Sequence, residues 1–384
     1  MADQKLAYLS LGSNLGDTLN NLQTAVFEIQ KTAGDIQRIS PIYQSSAWGF
    51  ESDDFLNICL SVNTILPPQK LLDTLLSIEN KLGRIRFKED GYQARSIDID
   101  ILYYERETFI SDTLVIPHPE MCYRKFVLKP LADIAPQFYH PIVNKDTRNL
   151  IQECRDKGKL EKTTFRLYKD RTELFANTNF IAIEGNIGAG KTTLANKISE
   201  DFNGKLVLER FADNPFLPKF YEEQSRYAFP LEMSFLADRY QQFTDDTSQY
   251  DLFKSFMVSD YDIYKSLIFA RITLQQDEFE LYRKLFHLMY KEVRKPKIYV
   301  YLYQSTDRLI QNIKKRGREY EQSIDVGYLE QINKGYFDFI KSYPEQNNLV
   351  IDLEDLDFVN NNKDYETIVD KILKFAVHLP AVKA

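Results

Sequence analysis

Cysteine is scarce in this sequence: three residues in 384, Cys59, Cys122 and Cys154. Their spacing fits neither a metal-binding ribbon nor an even disulfide framework, so the chain is expected in a reducing, cytoplasmic compartment. Long apolar runs are also missing. No stretch approaches the ~20 residues needed to cross a bilayer, and the start MADQKLAYLSLGS lacks the basic and apolar regions of a leader. Nor is there an excess of positive charge. The net charge is −7 with a pI near 5.4, which argues against a broad nucleic-acid surface while leaving room for local phosphate sites. Repeats and low-complexity tracts are absent as well.

What is present is an ordinary globular composition, 43% apolar and 27% charged, in a chain long enough for two cores. Leu6–Leu11 reads as a strand, and the turn Gly12–Gly16 leads into a helix capped by Asp17 or Thr18, with Leu19, Leu22, Val26 and Ile29 at helical spacing. Strand-like stretches follow near 36–44 and 55–64. Pro67-Pro68 opens a second helix with Leu71, Leu72, Leu75, Ile78 and Leu82 on its stripe, and Gly83 ends it. With a further strand over 96–104, this order predicts an α+β domain over residues 1–160. Residues 161–177 read as a connector whose Phe165, Leu167 and Tyr168 can dock on a domain. A new apolar strand at 179–183 starts an α/β domain over 178–384, with buried strands expected at 298–303 and 349–352.

That strand runs into Gly185-Asn186-Ile187-Gly188-Ala189-Gly190-Lys191-Thr192, a complete G-x-x-x-x-G-K-[ST] phosphate loop, and Thr193 onward continues as a helix. Glycines let the backbone curl so that several N–H groups face the phosphates; Lys191 suits the β- and γ-phosphates and Thr192 suits Mg²⁺. A strand then ends in Glu209-Arg210, where open α/β sheets bind ligands, so Glu209 is placed as a general base.

From this point residues 178–384 resemble the deoxynucleoside kinase family, on Gly185–Leu194, Glu209, the aromatic stretch Tyr227–Arg239, Asp260–Ala270 and Lys315-Arg316-Gly317-Arg318-Glu319. The resemblance implies a P-loop α/β fold with a parallel sheet flanked by helices, and phosphorylation of a deoxynucleoside at its 5′-hydroxyl by ATP. It assigns ATP binding to Gly185, Asn186, Gly188, Gly190, Lys191, Thr192 and Thr193. Glu209 takes the hydroxyl proton, Arg239 assists, Arg316 and Arg318 close over the phosphates, and Thr192 and Asp260 hold one Mg²⁺. Tyr227, Phe229, Glu232, Arg239 and Lys265 are assigned to the nucleoside. Glu232 stands where many members have Gln, the acid-Arg-Ser motif is replaced by Ser259-Asp260-Tyr261-Asp262, and Asn312 stands where a lid arginine is common. A purine deoxynucleoside is expected, with a lean to deoxyadenosine. A homodimer through the kinase helices is also implied.

In the first domain, Ser96–Leu102 alternates strictly, which puts Asp98 and Asp100 on one strand face. Paired carboxylates suit Mg²⁺ carried by a triphosphate, although a solvent-facing sheet edge gives the same pattern. Arg84, Arg86, Lys88, Arg95, His118 and Arg124 flank the pair in sequence, as a phosphate clamp would. LGSNLGD, FLN, Glu79 before Gly83-Arg84, RSIDIDIL and the VIPHP segment resemble 6-hydroxymethyl-7,8-dihydropterin pyrophosphokinase across residues 5–155. The resemblance implies a ferredoxin-like α+β fold and transfer of a diphosphate from ATP to the pterin hydroxymethyl, leaving AMP. Two Mg²⁺ fall to Asp98 and Asp100. ATP falls to Glu79, Arg84, Arg95, His118 and Arg124, with Arg84 and Arg95 also catalytic. The pterin falls to Ser45, Ser46, Trp48, Phe55, Asn57 and Phe126.

Three other readings stay open on the sequence. One domain is degenerate and serves as a scaffold or oligomerisation module, the second domain is a nucleoside monophosphate kinase or another P-loop phosphotransferase, or it is an ATP-dependent binding switch. The partners expected are small molecules, with no nucleic acid and no membrane.

Overall fold

The computed structural model describes residues 4–46, 52–84, 94–210, 214–248, 253–291, 293–322 and 324–380. The chain forms two compact units, Met1–Leu174 with Val377–Ala384, and Phe175–Ala376.

The first unit is built on β1 (Lys5–Ser13), α1 (Thr18–Thr32), β2 (Asp35–Ile39), β3 (Tyr43–Ser45), β4 (Phe55–Thr64), α2 (Pro68–Lys81) and β5 (Asp98–Tyr104). The hairpin β6 (Phe109–Ile110) and β7 (Val115–Ile116) follows, then α3 (Lys125–Ile134), α4 (Thr147–Glu153) and β8 (Leu160–Lys162). The sheet runs β5-β1-β4-β3-β8, with β2 also paired to β4, and its pairings are antiparallel. The stretch expected as one strand over 36–44 is two, because Ser40-Pro41 interrupts it and proline cannot donate to a ladder.

Alternation decides what each face carries. Ala7, Leu9 and Leu11 of β1 and Ile99 and Ile101 of β5 are buried in the same phase, on the side where α1 and α2 pack. The opposite phase of β1 and β5 carries Tyr8, Ser10, Gly12, Asp98 and Asp100. Tyr8 and Cys59 lie under Val127, Leu131 and Ile134 of α3. Ser10 and Gly12 pair with Asp100 and Asp98, and this polar part of the face becomes a cavity wall.

The stretch 161–177 is largely structured. Residues 160–162 pair with β3, Leu167 and Tyr168 are buried, and the Gln23 amide both donates to the Tyr168 carbonyl at 2.7 Å and accepts from its N–H at 3.0 Å. Leu167, Tyr168 and the amide clasp hold this segment against α1, the docking expected of two of its three apolar side chains, while Phe165 is exposed.

The second unit begins with α5 (Arg171–Thr178), which straddles the division, and continues through β9 (Phe180–Gly185), α6 (Lys191–Asp201), β10 (Gly204–Val207), α7 (Leu217–Glu222), α8 (Gln224–Ser248), β11 (Phe256–Ser259), α9 (Lys265–Thr273) and α10 (Gln276–Tyr290). It ends with β12 (Ile298–Tyr303), α11 (Thr306–Arg316), α12 (Val326–Ser342), β13 (Asn348–Asp352) and α13 (Asn362–Val377). Its sheet is parallel throughout, in the order β10-β11-β9-β12-β13. β9 and β12 are central and almost wholly buried, as their continuous apolar runs require. The carboxyl ends of β9, β10 and β11 therefore converge, and they carry the phosphate loop, Glu209 and Asp260.

Among the described residues no helix is long and apolar enough to cross a membrane.

Candidate active sites

In the first unit one cavity is lined by Ser10, Gly12, Ser45, Ser46, Phe55, Asn57, Arg95, Asp98, Asp100, Arg124 and Phe126. The structure thus gathers most of the residues expected there; Trp48, Arg86 and Lys88 lie outside the described residues. Ser10 and Gly12 are additions. A Cβ on Gly12 would meet Asn57 Oδ1 at 3.4 Å and the Phe55 ring at 3.7 Å, so the bare glycine leaves the floor open. Only the pairing of β1 between β4 and β5 reveals this, although LGSNLGD hinted at a constrained turn. Asn14 explains part of that motif: it bonds Arg95 from both sides, its N–H to the carbonyl at 3.1 Å and its Oδ1 from the N–H at 2.8 Å.

Glu79, Arg84 and His118 do not line this cavity. Glu79 is buried behind β5, where Oε1 accepts the Ile99 N–H at 2.8 Å and pairs with Arg84. From α2 it supports Arg84, which in turn pairs with Asp98. Arg84 reaches the cavity through Asp98 Oδ1 at 2.6 Å, and Arg95 pairs with the other Asp98 oxygen. Burial, and then the neighbouring Asp98, push the Asp100 carboxyl up to about 7, against the pull of Arg124. His118 lies 3.9 Å from Asp100. Its Nδ1 accepts the Glu120 N–H at 3.2 Å, so the neutral ring carries its proton on Nε2, on the side of Asp100. Burial and then Arg124 lower its pKa and keep it neutral.

Crowded carboxylates are the donor set of a hard cation. Among the described residues no cluster of three or more His, Cys, Asp or Glu side chains is placed to hold a metal. A Mg²⁺ at Asp98 and Asp100 must therefore draw its remaining oxygens from a phosphate ligand and water.

In the second unit Gly188 and Gly190 have φ of +86° and +88°, and a Cβ on Gly190 would lie 2.8 Å from the Phe358 ring. This is the geometry that restricts both positions to glycine. Lys191 Nζ donates to the Asn186 carbonyl at 3.0 Å across the loop. Burial, then the charge of Lys265, bring its pKa down to about 8. The Thr192 hydroxyl bonds Asp260 Oδ2, and the Asp260 Oδ1 accepts the Glu209 N–H at 2.8 Å. Hydroxyl and carboxylate so placed fit a Mg²⁺ at the loop.

Glu209 is gripped from two sides. Oε1 accepts from Arg239 Nε at 2.9 Å and Nη2 at 2.5 Å, and Oε2 accepts from Lys265 Nζ at 2.6 Å. Burial raises its pKa, but Lys265 and then Arg239 outweigh that and hold the carboxyl well below the usual range. Arg239 also donates to Ser266 Oγ at 2.7 Å. Lys265, expected on the nucleoside, thus has its ammonium committed to Glu209.

One cavity joins these groups. It is lined by Ile187, Gly188, Lys191, Thr192, Glu209, Leu217, Phe220, Tyr221, Leu231, Glu232, Phe235, Arg239, Asp260, Lys265, Phe269, Arg316, Arg318, Glu321 and Tyr328. Arg316 and Arg318 share Glu321, the latter at 3.2 Å. Tyr227 and Phe229 are not on the lining. They fall roughly a quarter-turn round α8 from the face bearing Leu231, Glu232, Phe235 and Arg239, and pack against the core instead. Phe220, Tyr221, Phe269 and Tyr328 join Phe235 in the aromatic walls. They come from α7, α9 and α12, whose approach no local spacing shows. Gly185, Asn186, Gly190 and Thr193 are also off the lining. Asn186 turns inward, donating to the Leu329 carbonyl and to Asn333 Oδ1, each at 2.8 Å.

The deoxynucleoside kinase family profile matches residues 181–378, and that of 7,8-dihydro-6-hydroxymethylpterin-pyrophosphokinase matches residues 8–136. The chain belongs to both families. Its kinase half is 42% identical over 203 residues to a deoxyguanosine kinase of Bacillus subtilis, covering 52% of this chain and 98% of that one. Its pyrophosphokinase half is 42% identical over 148 residues to 2-amino-4-hydroxy-6-hydroxymethyldihydropteridine pyrophosphokinase of Synechocystis, covering 38% and 75% respectively. A solved deoxyadenosine kinase of M. mycoides with bound dATP aligns with 50% of this chain and 98% of its own, at 27% identity and a TM-score of 0.44. Both halves are therefore ATP-using transferases, joined in one polypeptide.

Proposed function

We propose that both sites are active. The pyrophosphokinase unit moves a diphosphate from ATP to 6-hydroxymethyl-7,8-dihydropterin and releases AMP. The kinase unit moves the terminal phosphoryl of ATP to the 5′-hydroxyl of a purine deoxynucleoside and releases ADP. The relative named as a deoxyguanosine kinase supports a purine acceptor. The observation that carries the kinase reading is the convergence of Lys191, Thr192, Asp260, Glu209 and two lid arginines on one cavity.

In the kinase unit Glu209 orients the 5′-hydroxyl by accepting its hydrogen bond, and takes the proton as the new P–O bond forms. A loose phosphoryl transition state asks little of the base, so a carboxylate held well below the usual range suffices. Arg239 fixes that carboxylate. Lys191, Arg316 and Arg318 meet the charge spread over the phosphoryl oxygens. Thr192 and Asp260 would hold one Mg²⁺, which would neutralise phosphate charge.

In the pyrophosphokinase unit Phe55 and Phe126 sandwich the pterin, Asn57 and the Ser45–Ser46 backbone read its edge, and Arg95 and Arg124 bind phosphate. Asp98 and Asp100 would hold two Mg²⁺, and no side chain is needed as a strong base. The unit is read as ferredoxin-like over residues 1–160, the kinase over 178–384, with homodimers forming through kinase helices in the cytoplasm.

The test is a product assay on the purified chain with ATP and Mg²⁺, adding each acceptor separately. AMP with the dihydropterin and ADP with deoxynucleosides are expected. AMP alone would mark the kinase unit as a scaffold.

A further inference from the structure

Glu232 is a buried acid with half of its hydrogen-bonding capacity unused. It is 2% exposed and lines the kinase cavity between Leu231, Phe235, Phe269 and Tyr328. Oε1 accepts the Thr273 hydroxyl at 3.2 Å, while Oε2, equally buried, has no hydrogen-bond partner among the described residues. The nearby cations are committed elsewhere: Arg239 to Glu209 and Ser266, Lys265 to Glu209. A buried carboxyl left in this state is unfavourable unless a ligand supplies donors.

Position narrows what that ligand is. Glu232 and Arg239 share one face of α8, seven residues apart in sequence, hence ~10 Å along the helix. Arg239 grips the carboxylate that meets the sugar hydroxyl, so Glu232 stands about one nucleoside length away. Phe235, between them on α8, and the cavity's Phe269 and Tyr328 suit a flat ring. The base edge then faces a carboxylate, which only accepts.

Base edges differ in what they offer an acceptor pair. Adenine and cytosine put an amino group beside a ring acceptor, and thymine puts one N–H between two carbonyls. Guanine alone presents two adjacent donors, N1–H and the 2-amino group. We propose that Glu232 selects guanine, its two oxygens accepting from N1–H and the 2-amino group. This rests on the kinase reading and turns the expected substrate from deoxyadenosine to deoxyguanosine. Burial pushes the Glu232 carboxyl up to about 7, so the ionised form is accessible near neutrality and is the form that two donors would hold.

Deoxyinosine, which lacks only the 2-amino group, isolates the claim. The experiment compares kcat/KM for deoxyguanosine, deoxyinosine and deoxyadenosine in the wild-type chain and in Glu232→Gln, following ADP. Wild type is expected to favour deoxyguanosine over deoxyinosine by about 10- to 100-fold. In Glu232→Gln, whose amide places a donor against one of guanine's donors, that ratio falls to within about threefold and deoxyadenosine gains. Thermal unfolding of the variant, with its remaining deoxyinosine activity, shows that it folds. A working kinase with a wild-type ratio near one, or a ratio unchanged by the substitution, overturns the assignment alone. A folded wild-type chain that phosphorylates no purine deoxynucleoside overturns the kinase reading and the assignment together.

Discussion

The ammonium of Lys265 lies 2.6 Å from one carboxylate oxygen of Glu209, opposite the Arg239 guanidinium on the other. The Glu209 carboxyl is thus kept ionised by two buried cations, and their hydrogen bonds fix its orientation.

Replacing Lys265 by Met leaves the Glu209 carboxylate with Arg239 as its side-chain partner among the described residues. The carboxyl pKa then rises towards the usual range, so protonation removes activity at a higher pH than in wild type. The acid limb of kcat/KM for ADP formation should move upward, with kcat at neutral pH down by about 10- to 100-fold. An unmoved acid limb would show that Lys265 does not control this ionisation.

Asn312 bonds the phosphate loop to the helix that leads to the lid. Its Nδ2 donates to the Gly188 carbonyl at 3.0 Å and to Gln304 Oε1 at 2.9 Å. Gln304 in turn accepts through its carbonyl from Asn333, which receives Asn186. Asn312→Ala should raise KM for ATP by about three- to tenfold while leaving KM for the deoxynucleoside nearly unchanged. The loss in stability should be about 1 kcal/mol. Steady-state kinetics with each substrate varied in turn checks this.

The amide clasp of Gln23 on Tyr168 gives the segment after β8 a structural task in the first unit. Gln23→Ala leaves buried N–H and carbonyl groups unpaired and should destabilise that unit by about 1–3 kcal/mol. AMP-forming activity should be lost at lower urea concentration than in wild type, with ADP-forming activity lost where it was before.

Short-range chemistry was the readable part of this sequence. The phosphate loop, the alternating aspartate strand and the stripes of α1 and α2 each declare themselves within ten or so residues, because strand and helix periods are local. What escaped depends on register or approach between distant segments. Ser10 and Gly12 join the cavity of the first unit only through pairing with Asp100 and Asp98. Glu209 and Lys265 are 56 residues apart, and Tyr328 reaches the cavity of the second unit from α12. Tyr227 and Phe229 misled because aromatic side chains on a long helix serve the core as readily as a ligand, and only the phase of α8 separates the two uses. Glu79 shows the same dependence: its bond to the Ile99 N–H and its pairing with Arg84 follow from how α2 packs on β5.

The central claim is that one chain carries two separate transfer sites, and cross-inactivation tests it most directly. Lys191→Met and Asp100→Asn chains are each assayed for AMP formation with the dihydropterin and ADP formation with deoxyguanosine. Lys191→Met should lose ADP formation by at least about 100-fold and keep AMP formation. Asp100→Asn should do the reverse. Loss of both products in either folded variant, or of neither, would contradict the account.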